Sequence, residues 1–142
     1  MEDVARCQIV EGFLVALHSL DVGGMLSAIS DDFTLELPTA PPGLPREVSS
    51  KVNFHELMST MTAMWAEFRL TRWAVHPIRG GRVVAEYASR GKNLDRSDYA
   101  NTYLAMVTVD QGKITRWQEF FDPAPVVHAA AVAKAIALST GK

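Results

Sequence analysis

Between Asp98 and Val109 an otherwise apolar run carries Tyr99, Asn101 and Tyr103 at every second position. A second run, Lys113 to Phe121, carries Trp117, Glu119 and Phe121 at the same spacing. Alternate side chains of a strand share one face. Gln111-Gly112 separates the runs and predicts a tight turn, so the two form an antiparallel hairpin. One face of that hairpin holds two phenols, an amide, an indole and a carboxylate. The mixture is too polar for an ordinary core and too aromatic for an ordinary solvated face, and it predicts the wall of a small-molecule pocket.

Upstream the period changes. Val10, Phe13, Leu14, Leu17 and Leu20 recur at helical spacing and predict a first helix over residues 4–20. Asp21 caps a short second helix through Met25, Leu26 and Ile29, which Gly23 and Gly24 weaken by roughly 1 kcal/mol each. Residues 33–37 alternate as a short strand. Pro38, Pro41, Pro42, Gly43 and Pro45 make residues 38–51 a long connection, a lid or rim. Asn53, with Glu56 three residues later as its capping-box partner, opens a third helix. Its stripe is Phe54, Leu57, Met58, Met61, Met64, Trp65 and Phe68. Plain core packing accounts for such a stripe, and its methionines also suit the wall of an adaptable cavity. Residues 70–78 and 82–89 predict two more strands joined at Gly80-Gly81, and residues 91–96 a polar connection to the hairpin. Asp122 and Pro125 open an alanine-rich terminal helix over residues 124–138.

Helices early and antiparallel strands late indicate an α+β fold. The whole chain, 1–142, is expected to be one domain with its core over residues 5–125. A curved, mostly antiparallel sheet wraps around the N-terminal helices and leaves a conical cavity.

The chain is 48% hydrophobic and 21% charged, with a formal net charge of −2. Its scattered arginines and lysines lack the basic footprint of a nucleic-acid binder. Cys7 is the only cysteine. It can form no internal disulfide and belongs to no zinc-binding cluster, which fits a reducing cytoplasm. The acidic start shows no signal-peptide core, and no apolar run is expected to approach the ~18 residues of a membrane span. His18, His55, His76 and His128 are too dispersed to predict a metal site. Without a phosphate loop or a nucleophile elbow, the expected chemistry needs no cofactor.

Three stretches carry a resemblance. They are Phe13-Leu14-Val15-Ala16-Leu17 running to Asp31-Asp32-Phe33, then Tyr99-Ala100-Asn101-Thr102-Tyr103, then Gly112-Lys113-Ile114 through Trp117-Gln118-Glu119-Phe120-Phe121-Asp122. Together they resemble the nuclear-transport-factor-2-like superfamily and, within it, the SnoaL-like branch. The resemblance implies a cone-shaped α+β barrel with a homodimer on the outer face of its sheet. It does not imply one activity, since isomerases, epoxide hydrolases, polyketide cyclases and plain binders share the fold. Ketosteroid isomerase resembles the chain from Phe13 to Pro38, but its oxyanion-binding tyrosine falls on Phe13 and its general base on Leu37. Limonene-epoxide hydrolase resembles the hairpin. One of its aspartates falls on Glu119, its arginine on Tyr87, its second aspartate on Ser89, and its water-holding pair on Thr34 and Glu36. The SnoaL-like cyclase needs one carboxyl beside its pocket, which matches Glu119.

Glu119 is therefore the expected general acid/base. Between Trp117 and Phe121 it loses hydration, which raises its pKa toward the range where proton transfer is efficient. Asn101 and Tyr99 are expected to hold a carbonyl or enolate oxygen, or else to satisfy a buried polar network. Tyr103, Tyr87, Ser89, Trp117, Phe121, Phe13, Leu17, Met58, Met61 and Trp65 complete the expected substrate site. Glu36 joins them in one strand phase and pairs with Glu119; in the other phase Leu37 takes its place. These residues predict a cofactor-independent isomerase, cyclase or hydratase/hydrolase acting on an apolar oxygenated ligand. The alternative is a non-catalytic binding or dimeric scaffold protein.

Overall fold

The stripe on the first helix is buried as its spacing requires. Val10, Phe13, Leu14 and Ala16 line the inner side of α1 (Asp3–His18). The computed structural model describes residues 1–140. Asp21 accepts the Gly24 N–H at 3.0 Å and starts α2 (Val22–Ala28). Strand β1 (Ile29–Glu36) follows at once. The proline-rich connection carries a strand that its sequence does not announce, β2 (Glu47–Ser49), paired antiparallel with β1. Thr39 pins the start of the same connection to the end of the strand beside β1, donating its hydroxyl to the Phe121 carbonyl at 2.8 Å.

The third helix begins and ends earlier than its stripe predicts. Ser50, not Asn53, is the N-cap of α3 (Lys51–Met61): its hydroxyl accepts the Asn53 N–H, and the Asn53 amide turns back to the Ser49 carbonyl. A single 3-10 turn, Thr62–Met64, then leads into β3 (Trp65–Ile78). Trp65 and Phe68 thus lie on a strand. They share a face despite being three residues apart because β3 shifts register between Trp65 and Glu67. One extra residue in a bulge reverses the parity of everything beyond it.

Strands β4 (Arg82–Asn93), β5 (Asp98–Asp110) and β6 (Lys113–Phe121) complete an open sheet of order β2-β1-β6-β5-β4-β3. Only β1 and β6 run parallel. β4 runs to Asn93, four residues beyond its expected end, because it stays paired with the bulged β3 as far as Trp65. Pro77 is tolerated because β3 is an edge strand. Gln111 and Gly112 make the hairpin turn with φ of 49° and 80°, the left-handed pair such turns need.

Bulges in β3, and irregularities between β1 and β6 and between β5 and β6, bend the sheet. It curls around α1, which packs on β3, β4 and β6, and around α3, which packs on β1 and β2. The result is the α+β cone. Asp122 accepts the Ala124 N–H at 3.0 Å where α4 (Pro123–Thr140) begins. Val126 and Ala129 are the buried residues of α4. Its 18 residues are long and apolar enough to cross a membrane by length and composition. That corrects the expectation that no apolar run reaches this length: the alanines extend the run between valines, isoleucine and leucine, with Lys134 as its one lysine.

Candidate functional site

A cavity of about 100 Å³ lies between the concave face of the sheet and the helices. Phe13 and Leu17 of α1, Leu57, Met58 and Met61 of α3, and Trp65 and Phe68 of β3 form one side of it. Tyr99, Tyr103, Trp117, Glu119 and Phe121 form the other. Leu35, Leu37, Leu44 and Val126 also line it. Leu37 is the inward residue of the second strand phase, and Leu35 shares its face; Leu44 and Val126 were missed because each comes from a segment far from the hairpin. Of these two only Leu44 left a trace, as a large apolar residue among the prolines of the connection.

Among the described residues Glu119 is the only carboxyl on this wall. Val107 pairs in register with Trp117, Ala105 with Glu119 and Tyr103 with Phe121, so the hairpin parity turns Glu119 inward between two aromatic neighbours. The Tyr87 hydroxyl donates to Glu119 Oε1. Burial raises the Glu119 pKa above its ordinary value, against the opposing hydrogen bonds of Tyr87 and the Trp117 indole. The two effects act on opposite forms: burial favours the acid, and the donors favour the carboxylate. The carboxyl is therefore easier to protonate than an exposed glutamate, and its anion still has donors.

Phenols surround it. The Tyr87 and Tyr103 rings stack with centroids 4.7 Å apart and planes 12° apart. Tyr103 and Ser89 share a hydrogen bond of 2.7 Å, and the Tyr99 and Tyr103 hydroxyls lie 3.4 Å apart. Burial pushes Tyr87 and Tyr103 well above the usual phenol range and raises Tyr99. All three therefore remain neutral O–H donors, and Tyr99 and Tyr103 reach the cavity. Among the described residues, the Trp65 indole N–H on the facing wall is buried without a hydrogen-bond partner.

Several expected site residues stand elsewhere. Glu36 faces away from the cavity. β1 lies beside β6 with Leu35 next to Trp117 and Glu36 next to Gln118, so Leu35 and Leu37 point inward. Glu36 pairs with Arg116 and accepts from the Gln118 amide on the outer face, and Thr34 sits beside Arg116. Asn101 does not line the cavity either. Its amide donates to the Asp122 carbonyl at 2.9 Å, and its oxygen accepts the Asp122 N–H at 3.0 Å. In effect it closes the mouth of the hairpin as a backbone pair would. Asn101→Ala should cost about 1–3 kcal/mol, because both Asp122 backbone groups lose their partner; the denaturant midpoint measures it. Tyr87 and Ser89 are buried behind the wall, not on it, and act through Glu119 and Tyr103. Among the described residues no three His, Cys, Asp or Glu side chains gather as a metal-binding group.

The profile of the SnoaL-like domain matches residues 10–117. No curated protein matches the sequence. Solved structures share the fold. A candidate isomerase from Bacillus subtilis is 18% identical, with a TM-score of 0.79 over 93% of this chain and 97% of that one. A candidate polyketide cyclase from Xanthomonas campestris is 19% identical, with a TM-score of 0.74 over 89% and 97%. TerC, crystallised with polyporic acid, is 18% identical, with a TM-score of 0.72 over 88% and 97%. At such identities the likeness is one of fold.

Proposed function

The chain belongs to the SnoaL-like domain family, and on that premise we propose that it is a cofactor-independent enzyme of the isomerase, cyclase or hydratase/hydrolase type, with Glu119 as its general acid/base. One observation carries the reading: a lone carboxyl lies on the wall of an apolar cavity, its proton affinity raised by burial and its anion held by Tyr87. In this reading Glu119 moves a proton at a carbon or oxygen next to a carbonyl or epoxide. Tyr99 and Tyr103 supply neutral donors to the oxygen on which charge develops. Phe13, Leu17, Trp65, Trp117 and the α3 methionines hold the apolar body of the substrate.

A panel of enolisable ketones and epoxides tests this. Turnover should follow the Glu119 ionisation observed independently by infrared spectroscopy. Tyr87→Phe removes a donor to the carboxylate, so it should raise the Glu119 pKa further and move the rate profile to higher pH by the same interval. A profile that stays in place while the infrared titration moves removes Glu119 from the chemistry.

Ligand binding without turnover is the second reading, favoured by the small cavity and by polar groups that already pair with one another. In either case we propose a homodimer on the outer face of the sheet. Leu104 and Phe120 are paired neighbours there, 44% and 37% exposed. Leu104→Glu should convert the dimer to a monomer in sedimentation velocity; an unchanged mass places the interface elsewhere.

A further inference from the structure

Among the described residues no lysine, arginine or histidine lines the cavity, although the chain has 14 lysines and arginines and 4 histidines. Cations near the sheet are engaged elsewhere: Arg116 with Glu36, Lys92 with Asp98, Arg96 with Glu67. A ligand carboxylate or phosphate entering here would lose its water and find no counter-charge, only the Glu119 carboxyl. A buried charge without a partner is strongly disfavoured. The space is also small. An apolar cavity of about 150 Å³ takes up benzene, and drug-sized ligands occupy roughly 300–1,000 Å³, whereas this cavity holds about 100 Å³, so even one small ring enters only as the half-buried side chains of α3 give way.

Resting on the reading of this cavity as the ligand site, we propose that its ligand is an uncharged molecule of one small ring, or an open chain of equal bulk, whose single oxygen meets Glu119, and that Leu57, Met58 and Met61 set the upper limit of its size. Those three side chains form the α3 wall and are only half-buried, whereas Phe54 is the one residue of α3 that is fully packed. Methionine is unbranched and yields to the shape beside it. The rest of the wall is braced by aromatic contacts, such as Phe13 on Trp117 with centroids 4.5 Å apart. An ammonium ligand is disfavoured for a separate reason. It needs the ionised form of Glu119, which burial opposes, and that carboxylate already accepts the Tyr87 hydroxyl.

The test is an equilibrium titration followed by tryptophan fluorescence, since Trp65 and Trp117 both line the cavity. Four probes are compared at pH 7: cyclohex-2-enone, cyclohex-1-enecarboxylate, cyclohexylammonium and the bicyclic 1-decalone. The enone should bind at least about tenfold more tightly than each of the others. Lowering the pH toward the carboxylate probe's own pKa should restore its binding. Met61→Ala should bring decalone to within about threefold of the enone, and Met58→Ala serves if the first variant folds poorly. Equal or tighter binding of the carboxylate or the ammonium at pH 7 overturns the inference. So does equal binding of decalone to the unaltered protein, or no saturable binding of the enone. Turnover is read separately, with the panel of ketones and epoxides and with the carboxylate probe. Selectivity without any catalysis leaves the inference standing and removes the enzymatic reading; turnover of anionic substrates does the reverse.

Discussion

Glu119→Gln lowers kcat/KM by about 10²–10⁴-fold, the range general acid–base catalysis supplies, and at the same time stabilises the protein at neutral pH. Glutamine keeps the shape of the side chain and an oxygen that can accept from Tyr87, but it carries no transferable proton. The stability change follows from linkage. The Glu119 pKa is higher in the folded protein than in the unfolded chain. Between those two values the folded state binds more protons than the unfolded one. Stability therefore falls as the pH rises through that window and stays lower above it. The glutamine variant has no such loss, so its thermal midpoint should exceed that of the unaltered protein at pH 7, with the gap closing as the pH drops below the ordinary glutamate value. A binding site kept for function at the expense of stability behaves in this way. Loss of stability at pH 7 with full activity would show that Glu119 is a structural partner of Tyr87 and nothing more.

Gly91→Ala should destabilise the protein by about 3 kcal/mol or more, the upper range for forced overpacking. A Cβ at position 91 would lie 2.0 Å from the Glu67 carbonyl oxygen and 2.9 Å from its carbon. Both are backbone atoms, so no side chain can turn aside. Gly91 pairs with Phe68, next to the β3 bulge between Trp65 and Glu67 that faces Asn93 and Lys92. Relieving the clash would flatten the bulge and return Trp65 and Phe68 to opposite faces. The damage should therefore reach the cavity: any folded fraction of the variant should lose the fluorescence response of Trp65 to ligand. A denaturant midpoint within about 1 kcal/mol of the unaltered protein, a small surface-type effect, would show that the strand pair can separate locally.

The hairpin was legible because β5 alternates from the turn to Tyr99 and β6 alternates from Trp117 to Phe121, beyond its irregularity at Thr115. Glu119 could be picked out for the same reason. The third helix misled because Met61, Met64, Trp65 and Phe68 continue a helical spacing into a bulged strand, where three-residue steps also recur on one face. Asn101 has the parity of its tyrosine neighbours, but its position near the start of β5 brings it level with Asp122, and the backbone there takes up its amide. No property of residues 99–103 alone distinguishes that outcome from a cavity contact.

The sequence by itself determined the α+β order, the caps at Asp21 and Asp122, the Gln111-Gly112 turn and the inward parity of Tyr99, Tyr103, Trp117 and Glu119. These are local properties, set by side-chain period and backbone preference over a few residues. Tertiary structure alone decided that Leu35 and Leu37 face the cavity while Glu36 does not, that Trp65 and Phe68 share a wall, and that Leu44 and Val126 close it. The physical reason is that strand register and bulges are fixed by hydrogen bonds between segments far apart in the chain, and a shift of one residue exchanges the two faces of a strand.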